Sequence, residues 1–245
     1  MSAGLSEKTF ALVIPTLNEA GNVDSLIGQV THSLSRTQYA YEIIVVDDGS
    51  TDGTQERVRS WSLKDPRIRL ISRSGERGLA GAVLCGWNQC RADLLGVMDA
   101  DLQHPPELLP QLLAQSERAD IIIASRYAHS NGTDGWNPLR VCISKLSTLA
   151  AGRLISRKHL HVTDPMSGFF IVRSSCIEGL AFQTTGFKLL LEILVRGRIS
   201  RATEVPYRFG LRQAGRSKAS AAVAFQYLRL LSRLSSELAS QSGQQ

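Results

Sequence analysis

Apolar residues along the chain arrive in short runs, separated by polar turns and by stretches of helical spacing. Six runs have the length of single buried strands: Phe10 to Ile14, Ile43 to Val46, Ile68 to Ile71, Leu94 to Met98, Ile121 to Ala124 and Phe169 to Val172. A last extended segment is expected over Glu204 to Phe209. After the first run, Val23, Leu26, Ile27, Val30 and Leu34 recur at helical spacing. The turn GSTDGT then opens a second helix, with Thr54 or Asp52 as its cap. Further helices are expected over Leu79 to Cys90, after Pro105 and Pro106, from Trp136 to Ile155, and in the apolar stretch GFKLLLEILV. Strands alternating with helices over most of the chain predict a three-layer α/β/α architecture around a parallel or mixed sheet. No internal repeat or linker interrupts the pattern, which is that of one domain.

Polar residues gather where the strand runs end. The fourth run passes directly into Asp99, Asp101 and Gln103. If the backbone stays extended past Met98, residues two apart point the same way and these three oxygen-bearing side chains converge. Two carboxylates so placed repel unless a cation lies between them, and hard oxygen ligands suit Mg²⁺ or Mn²⁺. Asp-x-Asp alone reads equally as a polar turn, but ligands of open α/β sheets bind beyond the carboxyl ends of strands. Arg126 follows the fifth run, and Arg140 and Ser144, four apart, share one helix face. Blander readings accompany several positions. Glu19 suits the first turn of a helix, Lys188 could snorkel from an apolar helix, and Asp164 could cap a turn. His104, held extended by Pro105, is expected as an exposed turn residue, and His159 and His161 as surface. Gly75, Gly78 and Gly81 match neither a dinucleotide fingerprint nor a Walker loop and read as a tight loop entering a helix.

Composition narrows the partners. The 245 residues carry a net charge of +6, which favours anionic ligands such as phosphates or an acidic membrane surface. No recognition motif supports nucleic-acid binding. The four cysteines form no metal or redox spacing and read as reduced thiols of a cytoplasmic protein. No signal peptide is visible at the N-terminus, and no apolar run approaches a membrane span.

The segments VIPTLNEAGN, EIIVVDDGSTDGT, VMDADLQHPPE, ASRY, DPMSGFF, GFKLLLEILV and EVPYRFGLRQAGRSK run in one order across residues 10–220 or so. Together they resemble glycosyltransferase family 2, of GT-A fold, and within it the polyprenyl-phosphate mannose synthases. The resemblance implies inverting transfer of mannose from GDP-mannose to a polyprenyl (dolichyl) phosphate, with a divalent cation, Mg²⁺ or Mn²⁺, as cofactor. By that likeness Pro15, Leu17, Glu19, Val46 and Asp48 line the nucleotide pocket, and Ala100 touches the diphosphate through its backbone. Asp99, Asp101 and Gln103 hold the ion, while Lys188, Arg212 and Lys218 grip the donor phosphates. Arg126, Arg140 and Ser144 receive the acceptor phosphate. The chain is expected to divide into a flexible 1–8, a GT-A catalytic domain over 9–219, an amphipathic helix over 220–240, read from its apolar spacing, and a disordered tail over 241–245. Its expected location is peripheral, on the cytoplasmic face of a membrane, with a membrane-protein partner conceivable. Two alternatives stand beside this reading: another donor such as UDP-glucose or UDP-N-acetylglucosamine, and a non-catalytic nucleotide-sugar-binding subunit of a membrane transferase. The apolar stripe from Ala224 to Leu238 has two readings as well, a membrane face or a face packed on the domain's own core.

Overall fold

A computed structural model describes residues 8–75, 78–127, 151–152, 154–156, 158–183, 188–208 and 229–237. Among the described residues seven strands form one sheet: β1 (Thr9–Thr16), β2 (Ala40–Asp47), β3 (Ile68–Ser72), β4 (Leu94–Val97), β5 (Ile121–Ser125), β6 (Phe170–Arg173) and β7 (Ala202–Pro206). Their order is β3-β2-β1-β4-β6-β5-β7. Neighbours are parallel except around β6, which runs antiparallel between β4 and β5.

Continuous apolar strands require cover on both faces, and β1 shows how it is supplied. Ala11 and Val13 face one apolar layer with Ile44, Val46 and α3 (Leu79–Trp87). Phe10, Leu12 and Ile14 face the other, with α1 (Val23–Leu34) and α4 (Leu109–Ala114). Close approach of α3 to the sheet depends on Gly86, where a Cβ would lie 2.7 Å from a Val13 methyl. The helix α2 (Thr54–Lys64) completes the first half, and α5 (Ser174–Ile177) and α6 (Leu189–Arg196) belong to the second.

The expected elements form, with shifted ends. The sixth strand begins at Phe170 and the seventh occupies Ala202–Pro206, because its pairing with β5 sets Ile121 opposite Ala202. The helix expected to reach Cys90 ends at Trp87. Neither Thr54 nor Asp52 is the N-cap of α2. Gly53 stands there at φ 94°, a conformation glycine adopts without strain, and Asp52 Oδ1 accepts the N–H of Thr54 at 3.1 Å.

Residues 229–237 are helical, and Leu230 and Leu234 are buried in the layer that also contains α6. Polar pairing follows the apolar contact. Glu192, fully buried, meets Arg196 at 2.6 Å and Arg233 at 3.3 Å, and Arg196 reaches Glu237 at 3.2 Å. A buried carboxylate is tolerated only with such partners. For these residues the apolar stripe is core. No helix among the described residues is long and apolar enough to cross a membrane. Leu234→Ala should therefore lower the unfolding free energy by about 2–5 kcal/mol. A urea-denaturation change below about 0.5 kcal/mol, ordinary for a surface site, would detach this helix from the core.

Candidate active site

Parallel strands deliver their following loops to one end of the sheet, and the site is assembled there. The loops after β1 and β2 are bonded to each other. Asn18, at φ 58°, donates its N–H to Ser50 Oγ at 2.8 Å, and its Oδ1 accepts the N–H of Thr51. The N–H of Glu19 reaches Thr54 Oγ1 at 2.9 Å and that of Ala20 reaches Asp52. At the base lies Asp47, wholly buried, accepting from Thr16, Ser50 and Gln55 side chains and from the N–H groups of Gly49 and Ser50. Asp48 turns the other way. Its Oδ2 accepts the N–H of Gly78 at 2.9 Å, and Arg73 Nε approaches Oδ1 at 3.0 Å. The glycine loop thus serves this carboxylate: a Cβ at Gly81 would sit 2.9 Å from the Arg73 guanidinium.

Beyond β4 the backbone does not remain extended. Leu102 has φ 58° and the N–H of Gln103 turns back to Asp101 Oδ1 at 3.2 Å. The simple alternation of Asp99, Asp101 and Gln103 is therefore replaced by a turn that wraps around Asp101, itself 8% exposed. Asp99 is clasped between two groups that sequence spacing did not indicate. Gly168 leaves room for it, since a Cβ there would lie 2.5 Å from Asp99 Oδ2. His104 approaches the same oxygen through Nε2 at 3.4 Å. Contrary to expectation His104 is only 2% exposed, because Phe169 and Tyr207 pack against its ring and the Tyr207 hydroxyl bonds Nδ1 at 2.8 Å.

A second group adjoins the first. Arg126 Nε and Nη2 donate to the two oxygens of Asp164 at 2.7 Å each, and the backbone N–H of Arg126 adds a third bond. Asp164 is fully buried, and its own N–H, with Thr163, is held by Glu204. Burial alone would weaken the guanidinium charge, but the Asp164 bonds outweigh it and hold Arg126 above its ordinary range. Burial, then the Arg126 charge, lowers Lys188 to about 8. Tyr207 is pushed well up by burial, with Arg126 opposing and Asp164, Asp99 and Asp101 reinforcing. All these groups share one electrostatic neighbourhood.

Among the other expected contacts, Pro15, Leu17 and Glu19 are half-buried along the β1 end, and Glu19 accepts from Asn22 at 2.7 Å. Val46 is fully buried in the core, and Ala100 is 4% exposed. His159 stands in the chain at φ 57°, and His161 is exposed as expected. Arg140, Ser144, Arg212 and Lys218 lie outside the described residues. Asp164, Gly168 and Tyr207 were carried by the motifs DPMSGFF and EVPYRFG, but nothing in their spacing names Arg126, Asp99 or His104 as their partners.

The donor set fits a hard cation. Asp99 Oδ1 is buried with no hydrogen-bond partner among the described residues, a state that costs about 1–3 kcal/mol unless something meets it. No group of three or more His, Cys, Asp or Glu gathers at ligating distance among those residues. An ion here would take Asp99, Asp101 and Gln103 and complete its shell with water or substrate oxygens, as Mg²⁺ commonly does.

The family described as glycosyl transferase family 2 matches residues 11–179. The chain belongs to glycosyl transferase family 2. It is 41% identical over 225 residues to a dolichol-phosphate mannosyltransferase of Pyrococcus furiosus, covering 91% of this chain and 63% of that protein. It thus spans less than two thirds of that relative. To the dolichol-phosphate mannosyltransferase of Saccharomyces cerevisiae it is 34% identical over 235 residues, covering 92% of this chain and 86% of that protein. A crystal structure of glucosyl-3-phosphoglycerate synthase from Mycobacterium tuberculosis, in complex with Mn²⁺, UDP-glucose and phosphoglyceric acid, superposes with a TM-score of 0.69 at 19% identity. That superposition covers 95% of this chain and 80% of the other, and it establishes the GT-A-like fold.

Lys188 gives this site a pH signature. With its folded pKa lowered to about 8 from 10.5, the unfolded chain binds more protons between those values, so this lysine makes stability rise with pH there. Lys188→Met should be more stable than the parent below pH 8, with the advantage shrinking as pH climbs toward 10. Urea melts of both proteins at matched pH check this; a difference independent of pH would mean that the lysine is not desolvated.

Proposed function

We propose that this chain is a metal-dependent inverting glycosyltransferase that moves mannose from GDP-mannose to a polyprenyl phosphate of the dolichyl type. The observation that carries the proposal is Asp99, with one buried oxygen lacking a hydrogen bond among the described residues, close to Asp101 in sequence at the carboxyl end of β4, where ligands of α/β sheets bind. The names of the two mannosyltransferase relatives support the choice of sugar and acceptor. A bound Mg²⁺ or Mn²⁺ would supply charge neutralisation to the departing diphosphate.

This chain's own groups do the rest. Pro15, Leu17, Glu19, Asp48 and Ala100 frame the nucleotide, from the ends of β1 and β2 with their bonded loops and from the turn after β4. Val46, its side chain buried in the core, supports the base of the pocket from beneath. Lys188, Arg212 and Lys218 add positive charge to the donor phosphates. Lys188, beside Arg126 and half neutral near pH 8, gains its proton most readily when an anion arrives. The acceptor needs no general base. A phosphate monoester with its second pKa near about 6 is already largely dianionic at neutral pH. Positioning is then the main task, assigned to Arg126, Arg140 and Ser144. Arg126 is pre-set by its two-point bond to Asp164, so little side-chain freedom remains to be lost on binding. The acceptor is a membrane lipid, so the chain works at the cytoplasmic face of a membrane, with the net charge of +6 favouring an acidic surface. A membrane-protein partner fits the same location.

A donor panel with a short polyprenyl phosphate, with and without Mn²⁺, tests the reading. GDP-mannose should be used in preference to UDP-glucose and UDP-N-acetylglucosamine, and only with the ion. Asp101→Asn should lower turnover at least about a hundredfold in a folded protein. Transfer that proceeds equally with chelator, or a near-normal Asp101→Asn variant, would sink the metal assignment.

Donor and acceptor sites should also separate. Arg140→Ala should impair use of the lipid phosphate while leaving GDP affinity within about threefold, less than the loss of one charged hydrogen bond. Arg212→Ala should weaken GDP–Mn²⁺ binding instead. Calorimetric titration with GDP distinguishes the two, and a large GDP defect in Arg140→Ala would reverse the assignment.

A further inference from the structure

We propose that His104, braced by Tyr207, is a positioning residue that sets the Asp99 carboxylate for the cation; the proposal rests on the metal reading above. Asp99 Oδ2 can only accept, so in the neutral ring Nε2 carries the hydrogen that faces it, 3.4 Å away. Nδ1 is then the acceptor, and the Tyr207 hydroxyl donates to it at 2.8 Å. That bond holds one tautomer, and the packing of Phe169 and Tyr207 on a ring 2% exposed holds its plane.

The consequence lies at the other oxygen. Once its backbone is placed, an aspartate turns about χ1, which is staggered, and χ2, which is broad, and two contacts restrict it here. His104 engages Oδ2 from one side, and Gly168 backs the group so closely that any Cβ would strike it. Oδ1 is left buried and without a hydrogen-bond partner among the described residues, which is the orientation a cation ligand needs. Partners behind a ligand characteristically govern metal affinity in this way. His104 lies directly after Gln103, so the turn that supplies the ion's ligands also supplies the group that aims one of them. Tyr207 comes from the end of β7, more than a hundred residues away, and joins the far side of the sheet to the metal turn.

The test is Mn²⁺ binding in the presence of GDP, read from the loss of the free-ion electron paramagnetic resonance signal at fixed pH. His104→Leu should weaken Mn²⁺ binding by roughly tenfold or more, and Tyr207→Phe should weaken it in the same direction by less. His104→Gln, whose amide nitrogen can take the place of Nε2, should recover most of the loss. GDP affinity without metal should change little in all three. Tyr207→Phe keeps the ring and its packing, so it decides the question even where His104→Leu fails to fold. Mn²⁺ affinity within twofold of the parent in the folded variants overturns the positioning role. So does a His104→Gln variant as weak as His104→Leu, which would show that the ring only fills space. A parent chain that takes up no Mn²⁺ with GDP overturns the metal reading, and the positioning role with it.

Discussion

Carboxylates crowd the carboxyl ends of the parallel strands, and each one removed from water must be met. That requirement shapes the whole working end of the molecule. Asp47 ties together the β2 loop, β1 and the start of α2 through five hydrogen bonds. Asp48 recruits Arg73 and the N–H of Gly78, and Asp164 recruits Arg126. These bonds make a rigid floor from segments that carry little regular structure. At Asp99, one oxygen lies 3.4 Å from His104 Nε2, and the other remains buried without a hydrogen bond among the described residues. A buried carboxylate oxygen left without a hydrogen bond at a strand end is a common mark of a site built for something else to bind.

Sheet order explains why distant segments meet at that atom. The strand β6 runs antiparallel between β4 and β5, so the segment entering it lies at the same end as the loops leaving its neighbours. Asp164 therefore meets Arg126, and Gly168 meets Asp99. In turn, β7 runs parallel to β5 and delivers Tyr207 to that end as well, within reach of His104. An all-parallel arrangement would have carried the DPMSGFF segment to the opposite end of the strands. One reversed strand brings Gly168 against the Asp99 carboxylate.

The last helix belongs to the same economy of paired charge. Its apolar residues Leu230 and Leu234 complete a core layer, and Arg233 and Glu237 bracket Glu192 and Arg196 on α6. The same helix α6 starts just after Lys188. Material that looks like an appendage in the pattern of residues is tied to the element that carries a candidate phosphate-binding lysine.

The local order of residues was enough to determine the architecture. Apolar runs of four or five residues can be buried only as strands with cover on both faces, and helical spacing supplied that cover. It was enough to place Asp99, Asp101 and Gln103 on one turn, because strand, turn and helix start are neighbours in the chain. It could not show that Leu102 would take a positive φ and bend the turn back onto Asp101, since residues other than glycine seldom adopt that region. Nor could it bury His104: next to Pro105 the residue has every local reason to be an exposed turn, and only Phe169 and Tyr207 arriving from other strands enclose it. Arg126 was legible as an anion-seeking group at a strand end, but its partner Asp164 lies 38 residues away across the reversed β6. Periodicity reads what is adjacent along the chain; pairing of charges across a sheet depends on strand order, which tertiary structure alone decides.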